Sequence, residues 1–192
     1  MKILSLVSFT ALITAAGLAT AGDPKADKPA APKAAEMQMP TPPAQIAEMG
    51  KTMNGTWKCK GSTSGPDGKP SPMEATSKSS TSPDGWWLVE TMDAKSGPMK
   101  FNMQSYMTFD AASKKWRRVS VDSMGTSMVG TADASKDGKM SWTFETQGPM
   151  GAGTFKDEVD ASDLKKGLKL AGKMSMDKGK TWMPVYEMTC TK

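Results

Sequence analysis

Between Gly55 and Thr191 the chain alternates apolar and polar side chains with a period of two, and no helix-length apolar stripe interrupts it. The odd positions of 99–109 are Met99, Phe101, Met103, Ser105, Met107 and Phe109, against Lys100, Asn102, Gln104, Tyr106 and Thr108. Met140, Trp142 and Phe144 share one side of the next clear run, and Leu168, Leu170, Met174 and Met176 share another, opposite Lys169 and Lys173. One-sided strands of this kind suit a sheet closed around an apolar interior. Turn signals separate them about every dozen residues: Gly65-Pro66-Asp67-Gly68, Pro83-Asp84-Gly85, Asp110-Ala111-Ala112-Ser113, Ser135-Lys136-Asp137-Gly138 and Asp177-Lys178-Gly179. The cadence predicts an all-β, antiparallel barrel or sandwich of about eight to ten strands.

The residues ahead of this region read differently. Lys2, the apolar stretch Ile3 to Leu18 and Ala19-Thr20-Ala21 form a secretory leader over 1–21. Residue 22 is glycine, so the cysteine of a lipoprotein is missing there. Residues 22–45 are rich in Ala, Pro and Lys, a composition too poor in apolar surface to offset its ordering entropy, and read as a linker. PPAQIAEMGKTM at 42–53 offers one or two helical turns, with Ile46 and Met49 spaced to cover one barrel end. The barrel domain is therefore expected over 46–192, in a periplasmic or secreted protein.

Cys59 and Cys190 are the only cysteines, and an oxidising compartment favours their pairing. Cys59 shares a face with Trp57, and Cys190 with Met188, Tyr186 and Trp182. Both thiols thus point to apolar faces of the first and last strands, the two that meet if the barrel closes.

Composition narrows the chemistry. The chain has 192 residues, 18 methionines and no histidine. The missing histidine removes Ser-His-Asp and Cys-His catalysis, the usual zinc sites and the commonest general base. The formal charge of +5 falls to +4 with the leader, and its lysines are dispersed, so a nucleic-acid face is not expected. Gly179-Lys180-Thr181 and Gly50-Lys51-Thr52 lack the first glycine of a phosphate-binding loop, and Asp133 with Asp137-Gly138 lacks the alternating acids of a calcium loop. Asn54-Gly55-Thr56 is formally a glycosylation sequon at the start of the first strand. Asp157, Glu158, Asp160 and Asp163 cluster in sequence, but alternation sends Asp157 away from Glu158 and Asp160, and the group reads as a solvated edge. Met37-x-Met39 and Met174-x-Met176 have thioether spacing that Cu(I) accepts, a minor copper-handling alternative.

One strand is two-sided. Over 116–123, Trp116, Arg118, Ser120 and Asp122 oppose Arg117, Val119, Val121 and Ser123. If the valines face inward the strand is ordinary. If Trp116 faces inward, Arg118 and Asp122 become buried charges that need partners or a polar ligand group.

The Gly55-Thr56-Trp57 start resembles the G-x-W opening of lipocalin-like barrels. A longer similarity joins Thr108-Phe109-Asp110, Trp116, Asp122-Ser123-Met124-Gly125-Thr126, Gly151-Ala152-Gly153-Thr154 and Tyr186-Glu187-Met188-Thr189. Over about 49–192 the chain resembles an exported bacterial family of unknown function, DUF1579. The resemblance implies a lipocalin-like barrel and transfers no catalytic residue; methionine richness and the cysteine pair depart from the family pattern.

The sequence reading is then a monomeric, non-catalytic barrel without cofactor or metal, binding an apolar small molecule or lipid. Trp57, Trp87, Met103, Trp116 and Met124 are the expected lining, with Arg118 and Asp122 as polar handles. A ligand-free structural or envelope-interaction module is the alternative. Methionine is unbranched and adaptable, so a Met-rich interior serves either reading, and cavity volume separates them.

Overall fold

The computed structural model describes residues 39–65 and 68–192. The leader, most of the linker and Met37 lie outside the described residues.

A short helix, α1 (Ala44–Met53), precedes ten strands: β1 (Gly55–Ser64), β2 (Pro70–Thr81), β3 (Leu88–Ser96), β4 (Met99–Asp110), β5 (Lys115–Asp122), β6 (Ser127–Asp133), β7 (Lys139–Gly148), β8 (Gly151–Asp160), β9 (Leu168–Ser175) and β10 (Met183–Thr191). Each strand pairs antiparallel with its chain neighbours, and β1 pairs with β10, so the meander closes into a barrel without edges. At the seam Cys59 stands directly opposite Cys190, and the two form a disulfide that links positions 131 apart.

Helix α1 has ten residues where the sequence suggested one or two turns. Its Ile46 is fully buried and packs with Leu88, Phe109 and Trp116, plugging one barrel end, while Met49 packs beside it. The Trp57 indole Nε1–H donates to the Met53 carbonyl at 2.9 Å, which fixes the helix end to β1. Exposed Met99, Met124, Met150 and Met176 ring the opposite end.

The period-two readings of β4, β7 and β9 hold: Met107, Phe109, Met140, Trp142, Phe144 and Leu168 are buried. β5 takes the second of its two arrangements. Trp116, Arg118 and Ser120 are buried while Val119 and Val121 stand outside. Two inferences from alternation need correction. Asp157 is not part of a solvated edge: the side of β8 that carries it, with Phe155 and Val159, lines the interior. Trp182 does not share the inner face of Cys190, because a register shift between Pro184 and Tyr186 breaks the count. Its ring lies instead beneath the outer lysines, 4.9 Å from Lys156 Nζ and 5.8 Å from Lys173 Nζ.

Candidate functional site: a cavity with a buried charge cluster

The barrel is not filled. A cavity of about 530 Å³ runs from beneath α1 to the methionine-ringed end. Its wall is mostly apolar and rich in methionine, and long unbranched methionines line space without fixing one shape.

Within this apolar wall, mid-strand positions of β3, β5, β8 and β10 bring charges together. Arg118 Nη2 donates to Glu90 Oε2 at 2.9 Å and to Ser105 Oγ at 3.0 Å. Arg118 Nη1 faces Asp157 Oδ2 at 3.6 Å. Ser77 Oγ–H donates to Glu90 Oε1 at 2.7 Å, Tyr186 Oη–H donates to Asp157 Oδ1 at 2.7 Å, and the Ser105 and Ser120 hydroxyls bond each other at 2.8 Å. The side chains of Arg118, Glu90 and Asp157 are 9%, 13% and 9% exposed.

Two glycines make room for this arrangement. A Cβ on Gly172 would lie 2.4 Å from the Tyr186 ring and 2.6 Å from Phe155, so only glycine lets Tyr186 lie across β9 toward Asp157. A Cβ on Gly130 would meet the Phe144 ring at 2.3 Å, and that ring sits 5.8 Å from the Arg118 guanidinium carbon.

Burial dominates the electrostatics. It pushes the Asp157 carboxyl up to about 6, against the opposing pull of Arg118 and the Tyr186 hydrogen bond, with Glu90 adding to the rise. The Tyr186 phenol is held well above its ordinary value by burial first and by the neighbouring Asp157 second. Both groups thus resist gaining negative charge.

The residues expected from sequence divide. Trp57, Trp116, Met103, Met124, Arg118 and Asp122 line the cavity. Trp116 meets Phe109 edge-on at 5.4 Å near the plugged end, and Met124 stands half-exposed at the open end. Trp87 does not line it: the residue closes the β2–β3 turn through its N–H to Ser82 Oγ, and its ring packs edge-on against outer Tyr106 at 6.4 Å. Asp122 is less a handle than a turn-holder, since its Oδ1 accepts the backbone N–H groups of Met124 and Thr126. Glu90, Asp157, Tyr186 and Ser105 were missed. Their signal was available in part, as a charge interrupting an apolar alternation: Glu90 among Leu88, Met92 and Ala94, Asp157 between Phe155 and Val159.

Met174 lines the cavity and Met176 its rim, while Met39 is exposed. Among the described residues no group of three or more His, Cys, Asp or Glu side chains is placed to hold a metal ion. No helix among them is long and apolar enough to cross a membrane.

Fold and cavity define a closed, ligand-sized antiparallel barrel of the lipocalin-like kind. Residues 43–192 match the model of the family described as "Protein of unknown function (DUF1579)", and the chain belongs to that family. Among solved structures it is similar to Rv2717c from M. tuberculosis, with 10% identity, a TM-score of 0.57 and coverage of 77% of this chain and 96% of that one. It is similar also to the S-type phycobiliprotein lyase CPES from Guillardia theta, at 10% identity and a TM-score of 0.53, covering 77% and 92% of the two chains. At such identities the likeness is one of fold. No curated protein matches the sequence.

Proposed function

We propose that the protein is an exported carrier that binds an apolar small molecule or lipid chain inside its barrel without transforming it. The observation that carries this reading is the cavity itself: about 530 Å³ of mostly apolar space, within the 300–1,000 Å³ usual for small-molecule sites, with a few convergent polar groups. A ligand-free structural module needs no such space, because ordinary interiors close-pack and leave few voids larger than a water molecule. The disulfide fits an oxidising, extracytoplasmic setting. Arg118, Glu90 and Asp157 serve as the polar floor, while Met103, Trp57 and Trp116 supply the apolar wall.

Native mass spectrometry of protein purified from its own envelope tests the reading, together with titration by a neutral apolar fluorescent probe. A retained small molecule, or probe binding that quenches Trp emission, is the expected result. A barrel that carries nothing and admits no probe would overturn it.

A further inference from the structure

The interior charge specifies the polar end of the ligand, an inference that rests on the carrier reading above. A buried arginine can pair with a ligand carboxylate. Here the guanidinium already stands between two carboxylates: Nη2 donates to Glu90 and Ser105, and Nη1 makes an ion pair, not a hydrogen bond, with Asp157 at 3.6 Å. Its Nε–H has no partner among the described residues and is buried out of solvent's reach. Two carboxylates surround one cation, so the cluster carries one negative charge in excess when both are ionised. The rest of the lining does not cancel it. Lys95 stands at the open end and pairs with Glu74 at 3.1 Å, and Asp122 adds a further negative charge spent on its own turn.

Spare acceptor capacity matches that charge. Among the described residues Asp157 Oδ2 makes no hydrogen bond, and the cation facing it is Arg118 Nη1 at 3.6 Å. Phe144, Phe155 and Tyr186 form a continuous aromatic wall beside it, with successive ring centres 6.2 Å apart. Carboxylate oxygens backed by ring faces attract a cationic head, whereas an entering carboxylate would meet like charge in a medium that screens poorly. We infer that the barrel takes amphiphiles with an ammonium head and an apolar chain or ring system, the head beside Asp157 and Glu90 and the tail among the methionines, and that it discriminates against fatty acids.

Dodecylammonium, dodecanoate and dodecanol, each below its micelle concentration, separate head from tail by displacing a neutral fluorescent probe from the full chain at pH 7.5. Dodecylammonium should bind at least about tenfold more tightly than dodecanoate, the scale of a single charge–charge preference. The net positive surface opposes this order for adventitious binding, so surface attraction cannot imitate it. Glu90→Gln/Asp157→Asn should bring the ratio of dodecylammonium to dodecanol affinity down to that of an uncharged floor, with circular dichroism and Trp emission reporting whether that variant is folded. In the wild-type protein the ratio of ammonium to dodecanol affinity should fall from pH 7.5 to pH 5 as Asp157 takes up a proton, the other charged or titratable groups acting on it being Arg118, Tyr186, Glu90 and its chain neighbour Glu158. This wild-type arm stands even if the double variant fails to fold. Equal or tighter binding of dodecanoate, or a ratio that does not change with pH, would overturn the headgroup inference and leave the carrier reading intact. Binding of none of the three, dodecanol included, would overturn both.

Discussion

The stability difference between Asp157→Asn and wild type should shift in the variant's favour as pH rises from about 4 to about 6, and then hold. The carboxyl sits inside the barrel, and burial raises its pKa from 3.8 to about 6. At ~1.4 kcal/mol per pH unit, this difference amounts to about 3 kcal/mol between the two protonation states in the folded protein. Because the folded-state value lies above the unfolded one, the native protein holds the proton more tightly than the unfolded chain. The resulting stabilisation is fully present below about pH 4 and is lost as pH rises through 6. Asparagine cannot ionise, so the variant escapes that loss and keeps an oxygen to accept the Tyr186 hydroxyl.

Wild-type stability alone would not display this slope cleanly. Asp84, Asp110, Asp160 and Asp177 have lowered pKa values, chiefly from side-chain hydrogen bonds with Ser82, Ser113, Ser162 and Thr181, and contribute with the opposite sign. They are common to both proteins and cancel in the difference. Urea unfolding followed by Trp emission, at intervals from pH 4.5 to 7.5, gives that difference directly. It should climb by about 2 kcal/mol over this range, most of it below pH 6, and level off above pH 7. The asparagine NH₂ facing Arg118 adds a cost that does not depend on pH, so it lowers the whole curve without flattening it. A difference that stays constant from pH 4.5 to 7.5 would refute the burial of an ionising Asp157.

Three other outcomes follow from the same geometry. Arg118→Met leaves Glu90 and Asp157 buried without their cation and should cost about 3–5 kcal/mol at pH 7.5, less at pH 5, by the same unfolding assay. Cys59→Ser/Cys190→Ser reopens a closure spanning 131 positions and should cost up to about 5 kcal/mol on loop-closure entropy, while thiol titration of the denatured, unreduced wild type finds no free thiol. Trp116→Ala should weaken an apolar probe by ~1–3 kcal/mol, whereas Trp87→Ala, whose ring lies outside against Tyr106, should leave probe affinity unchanged by fluorescence titration.

What was legible in the chain was whatever depends on neighbours in sequence. Strand count, turn positions and the meander follow from local alternation and turn residues, and barrel closure followed once Cys59 and Cys190 were placed on inner faces of the end strands. The orientation of β5 was not legible, because both its faces carry apolar side chains. It is settled by residues far away in sequence: Glu90 and Asp157 arrive from β3 and β8 to neutralise Arg118. Alternation separated Asp157 from Glu158 and Asp160 correctly, but that separation reads as a solvated edge unless the inward side of β8 is known. Trp182 was misplaced by one irregularity at Pro184, and Trp87 because it lies in a turn, where the period-two count does not apply.

The charge cluster also bears on how so soft an interior keeps one strand arrangement. Methionine packs adaptably and holds register weakly, and the cavity wall has few branched side chains to interlock. Register must then come from features intolerant of displacement. The disulfide pins β1 to β10, and α1 caps the plugged end. The remaining strands lie around the ring from that seam, and there the buried ions act. Sliding β8 by one residue would turn Asp157 outward and present Lys156 or Glu158 to the interior, the first repelling Arg118 and the second arriving without the Tyr186 contact. A comparable slip of β3 would exchange Glu90 for Val89 or Thr91 and leave the guanidinium short of a counter-charge. One set of residues can therefore hold the frame in register and offer a charged floor to a ligand. On the carrier function proposed above, the methionines around it would be the part that fits an apolar tail.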